Sequence, residues 1–170
     1  GSDDIPSRNS ADMYPNGFVP YINADIADRY AILGHRWQAG DWNIDLSQTY
    51  GSNDMQYRIS NTLNASIANL NLQNTGRGIS PAAFNAGGFT FSQATTNLDL
   101  SRPLDTWFKG GNLAFGLEYR TENYKINAGE PGSYIDADGV GNGGNAGSQG
   151  FPGFQPGDQT NRNRDSVAAY

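Results

Sequence analysis

Trp42-Asn43-Ile44-Asp45-Leu46-Ser47-Gln48-Thr49-Tyr50 is the stretch on which the reading of this chain turns. Every even position except Gln48 is apolar or aromatic, and every odd position is polar. Successive side chains of a strand point to opposite faces, so this segment has one greasy face and one wet face. The greasy face carries an aromatic at each end, as in a strand whose apolar side meets lipid.

Working outward, Ile26–Trp37 reads as a preceding strand and Gln38-Ala39-Gly40-Asp41 as a four-residue turn. Pairing Trp37 with Trp42 sets His35 against Ile44, Leu33 against Leu46 and Arg29 against Tyr50. The other face then pairs Arg36 with Asn43, Gly34 with Asp45 and Tyr30 with Thr49. Both strands agree on which face is apolar, and a one-residue slip would destroy that agreement. A second hairpin is expected from Phe89–Ser101 and Asn112–Ile126. Its first strand alternates poorly, with Thr90, Ser92, Ala94, Thr96, Leu98 and Leu100 on one face. Its second alternates well: Leu113, Phe115, Leu117 and Tyr119 face one way, and Ala114, Gly116, Glu118 and Arg120 the other. The expected lipid- or packing-facing set is therefore Leu33, Trp37, Trp42, Ile44, Leu46, Tyr50, Leu113, Phe115, Leu117 and Tyr119.

The connections alternate between short and long. Residues 1–25 read as a loop, 26–59 as a hairpin, 60–88 as a long loop, 89–126 as a hairpin, 127–165 as a Gly-rich loop and 166–170 as a strand cut short. Within the first long loop, Leu63, Ile67 and Leu70 have helical spacing, so Asn61–Asn74 is either a short amphipathic helix or an irregular loop. Long structureless loops count against a compact soluble domain, whereas outer-membrane barrels alternate short periplasmic turns with long extracellular loops. The dimensions agree. Trp42 to Tyr50 spans about 27 Å at ~3.3 Å per residue, and a tilt of roughly 40° projects this to about 20 Å, near the ~25 Å apolar band of such barrels. Trp37, Trp42, Trp107 and Phe108 would ring the short-turn side, with Tyr50 and Tyr119 near the long loops.

Composition supports strands with one polar face. Of 170 residues, 36% are hydrophobic and 16% charged, with 22 glycines, and the 12% aromatic content is too high for a disordered linker. A net charge of −6 argues against nucleic-acid binding, and the lack of cysteine removes disulfides and thiolate metal sites. No apolar run is long enough for a transmembrane helix.

Catalytic constellations are not legible, and the chain reads as a non-enzyme without cofactor. His35 is the only histidine and sits on the apolar face beside Trp37. Glu118 and Glu122 share a strand face with Arg120 between them, a satisfied polar ladder rather than a hydrolytic pair. Asp136, Asp138 and Asn142 place oxygen donors at calcium-loop spacing, but Gly139 comes too early and no glutamate closes the loop. An exposed flexible loop is the plainer reading.

Several segments resemble TonB-dependent receptors, in family order. They include Met13-Tyr14-Pro15-Asn16-Gly17-Phe18-Val19-Pro20, Gly40-Asp41-Trp42-Asn43-Ile44-Asp45-Leu46-Ser47-Gln48-Thr49-Tyr50-Gly51 and Phe84-Asn85-Ala86-Gly87-Gly88. Leu113-Ala114-Phe115-Gly116-Leu117-Glu118-Tyr119-Arg120-Thr121-Glu122-Asn123-Tyr124 is the strongest piece, followed by Gly147-Ser148-Gln149-Gly150-Phe151-Pro152-Gly153-Phe154 and Arg164-Asp165-Ser166-Val167-Ala168-Ala169-Tyr170. The resemblance implies an all-β fold of antiparallel hairpins, part of an outer-membrane barrel of a Gram-negative bacterium. The barrel would import siderophores, cobalamin or oligosaccharides.

Neither a plug nor a TonB box is recognisable. About four and a half strands fall below the minimum of roughly eight for a closed barrel. The expectation is therefore a receptor fragment, not transport-competent by itself, whose partners are the rest of the receptor and lipid, or copies of itself. On its own the Gly-rich loop would be held still only by such a barrel or by a repeating assembly. Two alternatives accompany this reading. The strands re-stack into a self-assembled filament or cross-β fibril with an extracellular location, or the chain is a soluble β-sandwich that binds ligand through its aromatics.

Overall fold

The computed structural model describes residues 7–104 and 110–170. The fold is all-β. β1 (Tyr21–Ala39), β2 (Trp42–Ser60), β3 (Ala83–Pro103), β4 (Asn112–Ala128) and β5 (Thr160–Ala169) form one antiparallel sheet in chain order, and the sheet does not close into a barrel. The helix α1 (Ala65–Thr75) lies between β2 and β3. β1 starts at Tyr21 and β5 at Thr160, so both strands are longer than the alternation alone suggests. Trp107 and Phe108 lie outside the described residues.

The first hairpin differs from the expected one. Its loop is two residues, Gly40-Asp41, and not four. Gly40 adopts φ 60 while Asp41 has no positive φ, the pattern of a type II′ turn, whose twist matches that of the flanking strands. Arg36 accordingly bridges to Asp45, and Asn53 donates to Asp28 at 2.7 Å. Trp37 therefore stands opposite Ile44, His35 opposite Leu46 and Leu33 opposite Gln48. The register has moved by two residues, so every side chain keeps its face.

The chain divides into two compact units. One, the loop unit, takes in the described part of Gly1–Ile26 together with Asp54–Phe89 and Lys125–Thr160. Its core contains Ile59, Leu63, Ala65, Ala68, Phe84 and Ala86, with Met13, Tyr14 and Phe18 packed against Leu63, Ala65 and Ala68. The helix begins four residues later than the spacing of Leu63, Ile67 and Leu70 implies, and it buries Ala65, Ser66 and Ala68. Small residues let other chain segments come close: a Cβ on Gly144 would collide with the Ser66 backbone.

Asn64 caps this helix and also holds the Gly-rich loop. Its Oδ1 accepts from the Ser66 and Ile67 N–H groups at 3.0 and 3.3 Å and from Ser66 Oγ at 2.6 Å. Its Nδ2 donates to the carbonyls of Gly132 and Ile135, each at 2.9 Å. The Ala137 N–H donates to Ser66 Oγ at 2.9 Å. The Ser133 carbonyl accepts from the N–H groups of Ser148 and Gly153, both at 2.9 Å, and Ser133 is itself buried. A loop expected to need an external scaffold is thus stitched within its own unit by buried asparagine and serine residues.

Replacing Asn64 with Ala strands several buried donors and acceptors at once, each costing about 1–3 kcal/mol. The expected result is selective loss of amide-exchange protection at Ser66, Ile67 and Ser148, with proteolysis between residues 129 and 154. Unchanged protection there would contradict the assigned role of Asn64.

Candidate functional site

The other unit comprises Ala27–Asn53, Thr90–Tyr124 and Asn161–Tyr170. Its described residues form sheet and no helix, so its two faces define its chemistry. Cross-strand contacts fix the register. The Gln48 and Thr96 side chains hydrogen-bond at 2.5 Å, and the Arg102 guanidinium lies 5.9 Å from the Trp42 ring centroid. These contacts place Ile44 beside Leu100 and Leu46 beside Leu98. The Leu104 N–H donates to the Gly111 carbonyl at 2.8 Å, which sets Leu100 beside Phe115 and Leu98 beside Leu117. Gly116 and Tyr170 exchange backbone bonds at 2.8 and 3.1 Å, which sets Tyr119 beside Val167.

One face is therefore a continuous apolar band, and the structure brings all ten sequence-predicted residues onto it. His35 stacks on Trp37 with ring centroids 5.3 Å apart, and Trp42 meets Phe115 at 6.2 Å. Leu33, Leu46 and His35 line a shallow apolar depression with Gln48 and Thr96. Trp37, Tyr50, Leu113, Phe115 and Tyr119 are exposed, as are Leu33 at 77% and Leu117 at 53%, while Trp42 and Ile44 are half-buried. A contiguous exposed apolar surface of this kind marks a contact with lipid or protein. Leu98 and Leu100, expected on one face of their strand but not in the expected lipid- or packing-facing set, join the band, as does Val167. Thr and Ser on the same face as the leucines of β3 dilute its alternation, and the few residues read as β5 are too short a run for a pattern.

The opposite face is ionic. Arg36 pairs with Asp45, Arg120 with Glu118 at 2.7 Å and Arg164 with Glu122 at 2.5 Å. The Tyr170 ring lies over Gly116, where any Cβ would collide with it, and its hydroxyl donates to Asp99 at 2.6 Å. That hydrogen bond, with some desolvation and the charges of Asp99 and Glu118, pushes the phenol above its ordinary range. Glycine at 116 is thus a seat for the aromatic ring.

The calcium-like residues belong to the loop unit. Asp138 Oδ2 accepts from Asn69 Nδ2 at 2.5 Å and from the Gly144 N–H at 2.9 Å, and Asn142 Nδ2 donates to the Asp138 carbonyl at 2.6 Å. Asn142 and Asn69 therefore present N–H groups to Asp138, and the motif works as a loop staple. Among the described residues no three carboxylate, His or Cys side chains gather as metal ligands. Desolvation, the hydrogen bond to Asp138 and that residue's charge raise the Asp136 pKa. Asp138 is lowered: desolvation opposes ionisation, but the bonds from Asn69, the Gly144 N–H and Asp136 outweigh it.

No family model, curated protein or solved structure matches the chain. Among the described residues no helix is long and apolar enough to cross a membrane, which says nothing of strands.

The two aspartates give opposite pH dependences. The Asp138 contribution is present above its unfolded pKa and is lost as pH falls through the depressed folded value. The Asp136 contribution is present below its unfolded pKa of about 3.9 and is lost as pH rises through the raised one. Asp136→Asn is therefore expected to melt higher than the parent at pH 7 and level with it near pH 3. A variant that melts lower at pH 7 would contradict the pairing.

Proposed function

We propose that the sheet unit is a segment of the wall of an outer-membrane β-barrel of the TonB-dependent receptor kind, with its apolar face against lipid and its ionic face toward the lumen. The observation that carries this reading is the apolar band on a single sheet layer. The band runs across neighbouring strands, is bordered by Trp37, Trp42, Tyr50 and Tyr119, and leaves Leu117 and Phe115 exposed. The ionic face supports it, since lumen-facing positions alternate with lipid-facing ones along every strand of such barrels.

The ordered sequence resemblance points to the family, and with it to a role in nutrient import across the outer membrane of a Gram-negative bacterium. In this reading the chain supplies wall and loop, carries no substrate by itself and performs no catalysis. The free edges of β1 and β5 are where further strands continue the wall.

Arginine substitutions test the assignment of faces. At the bilayer midplane of a barrel, arginine on the lipid face costs about 2–4 kcal/mol. Leu46→Arg should therefore lower partitioning of the full chain into short-chain phosphatidylcholine vesicles about 30-fold or more. Thr49→Arg, on the ionic face, should change it by less than about threefold. Equal losses for the two variants would remove the lipid-facing assignment.

A further inference from the structure

The apolar band does not explain β1. On the ionic face this edge strand exposes Tyr30 and Ile32, the latter at 61%, with only Gly51 and Thr49 of β2 opposite them. We propose that the β1 edge is a docking surface for a second copy of this chain, paired antiparallel about a two-fold axis through Ile32. The inference stands apart from the lipid-facing reading and applies whenever no other strand of a barrel occupies that edge.

The backbone permits this pairing. The two-residue loop makes Ala39 and Trp42 the closing hydrogen-bonded pair. By alternation, odd residues of β1 turn their N–H and C=O groups toward β2, and even residues turn theirs to the free edge. A two-fold axis through Ile32 sets even residues against even ones, so the outward groups of Asp28, Tyr30, Ile32, Gly34 and Arg36 all meet partners. The side chains match as well. Asp28, which accepts from Asn53, falls opposite Arg36 of the second copy, whose guanidinium is bridged to Asp45 but remains 86% exposed and open to a second carboxylate. The open Cα of Gly34 falls opposite Tyr30, and Ile32 opposite itself. On the apolar face Leu33 falls opposite Ala31. Arg29 opposite His35 is the one pair without complementarity. A self-pairing of the β5 edge about Asn163 sets Arg162 against Arg164, like charge opposite like charge.

The chain has no cysteine, so Ile32→Cys carries a single thiol placed on the axis. Opposed residues of a hydrogen-bonded pair have Cα atoms about 5.5 Å apart, within disulfide range. Mild oxidation of Ile32→Cys in detergent-free buffer should yield mostly disulfide-linked dimer, while Val167→Cys on the β5 edge stays largely unlinked. Ile32→Lys sets two like charges on the axis, and it should sediment as monomer with an unchanged far-UV spectrum. An unlinked Ile32→Cys protein, equal linking at Val167, or an Ile32→Lys protein that still dimerises would each overturn the proposal. All three readings are taken in water, so they are independent of the vesicle partitioning that tests the lipid-facing assignment.

Discussion

A strand sends alternate side chains to opposite faces, and the sheet unit is a single layer, so its two faces must be accounted for separately. The ionic face is largely satisfied from within, by Arg36 with Asp45, Arg120 with Glu118, Arg164 with Glu122 and Tyr170 with Asp99. The apolar face is not. Leu46, Leu117 and Phe115 are exposed, although their neighbours on adjacent strands are themselves apolar. In an ordinary antiparallel domain that face packs on a second layer. Its bareness, with aromatics at the borders of the band, is what the lipid-facing proposal accounts for.

The loop unit follows different rules. Its core is small, and its order comes from buried polar residues, chiefly Asn64 with Ser66 and Ser133. Such networks are valuable only when every member is satisfied, because an unpaired buried amide costs more than a paired one contributes. Asn64 meets that condition, with its carbonyl oxygen accepting and its amide nitrogen donating twice. Glycines complete the arrangement where chain segments come too close for a Cβ, as at Gly144 and Gly153.

The sheet was largely legible in the sequence because period-two alternation is a local signal. It identified β2 and β4 and assigned their faces. The partner of Trp42 was not legible, since a shift of two residues preserves every face and only the turn decides between the registers. Gly40 decides it by taking a left-handed φ. The contribution of β3 was obscured by Ser92, Ala94 and Thr96, small or polar residues that occupy apolar-face positions ahead of Leu98 and Leu100. The loop was least legible. Nothing local in a Gly-, Asn- and Ser-rich stretch tells which carbonyls Asn64 will meet as far along the chain as Gly132 and Ile135.

Lipid contact at the middle of the band tests the central claim most directly. With Trp37, Trp42 and Trp107 replaced by Phe, a single tryptophan is placed at Leu117 or at Thr49, and the full chain is bound to vesicles whose acyl chains carry bromine. The account predicts strong quenching at position 117 and little at position 49. Equal quenching at both positions, or none at 117, would contradict it.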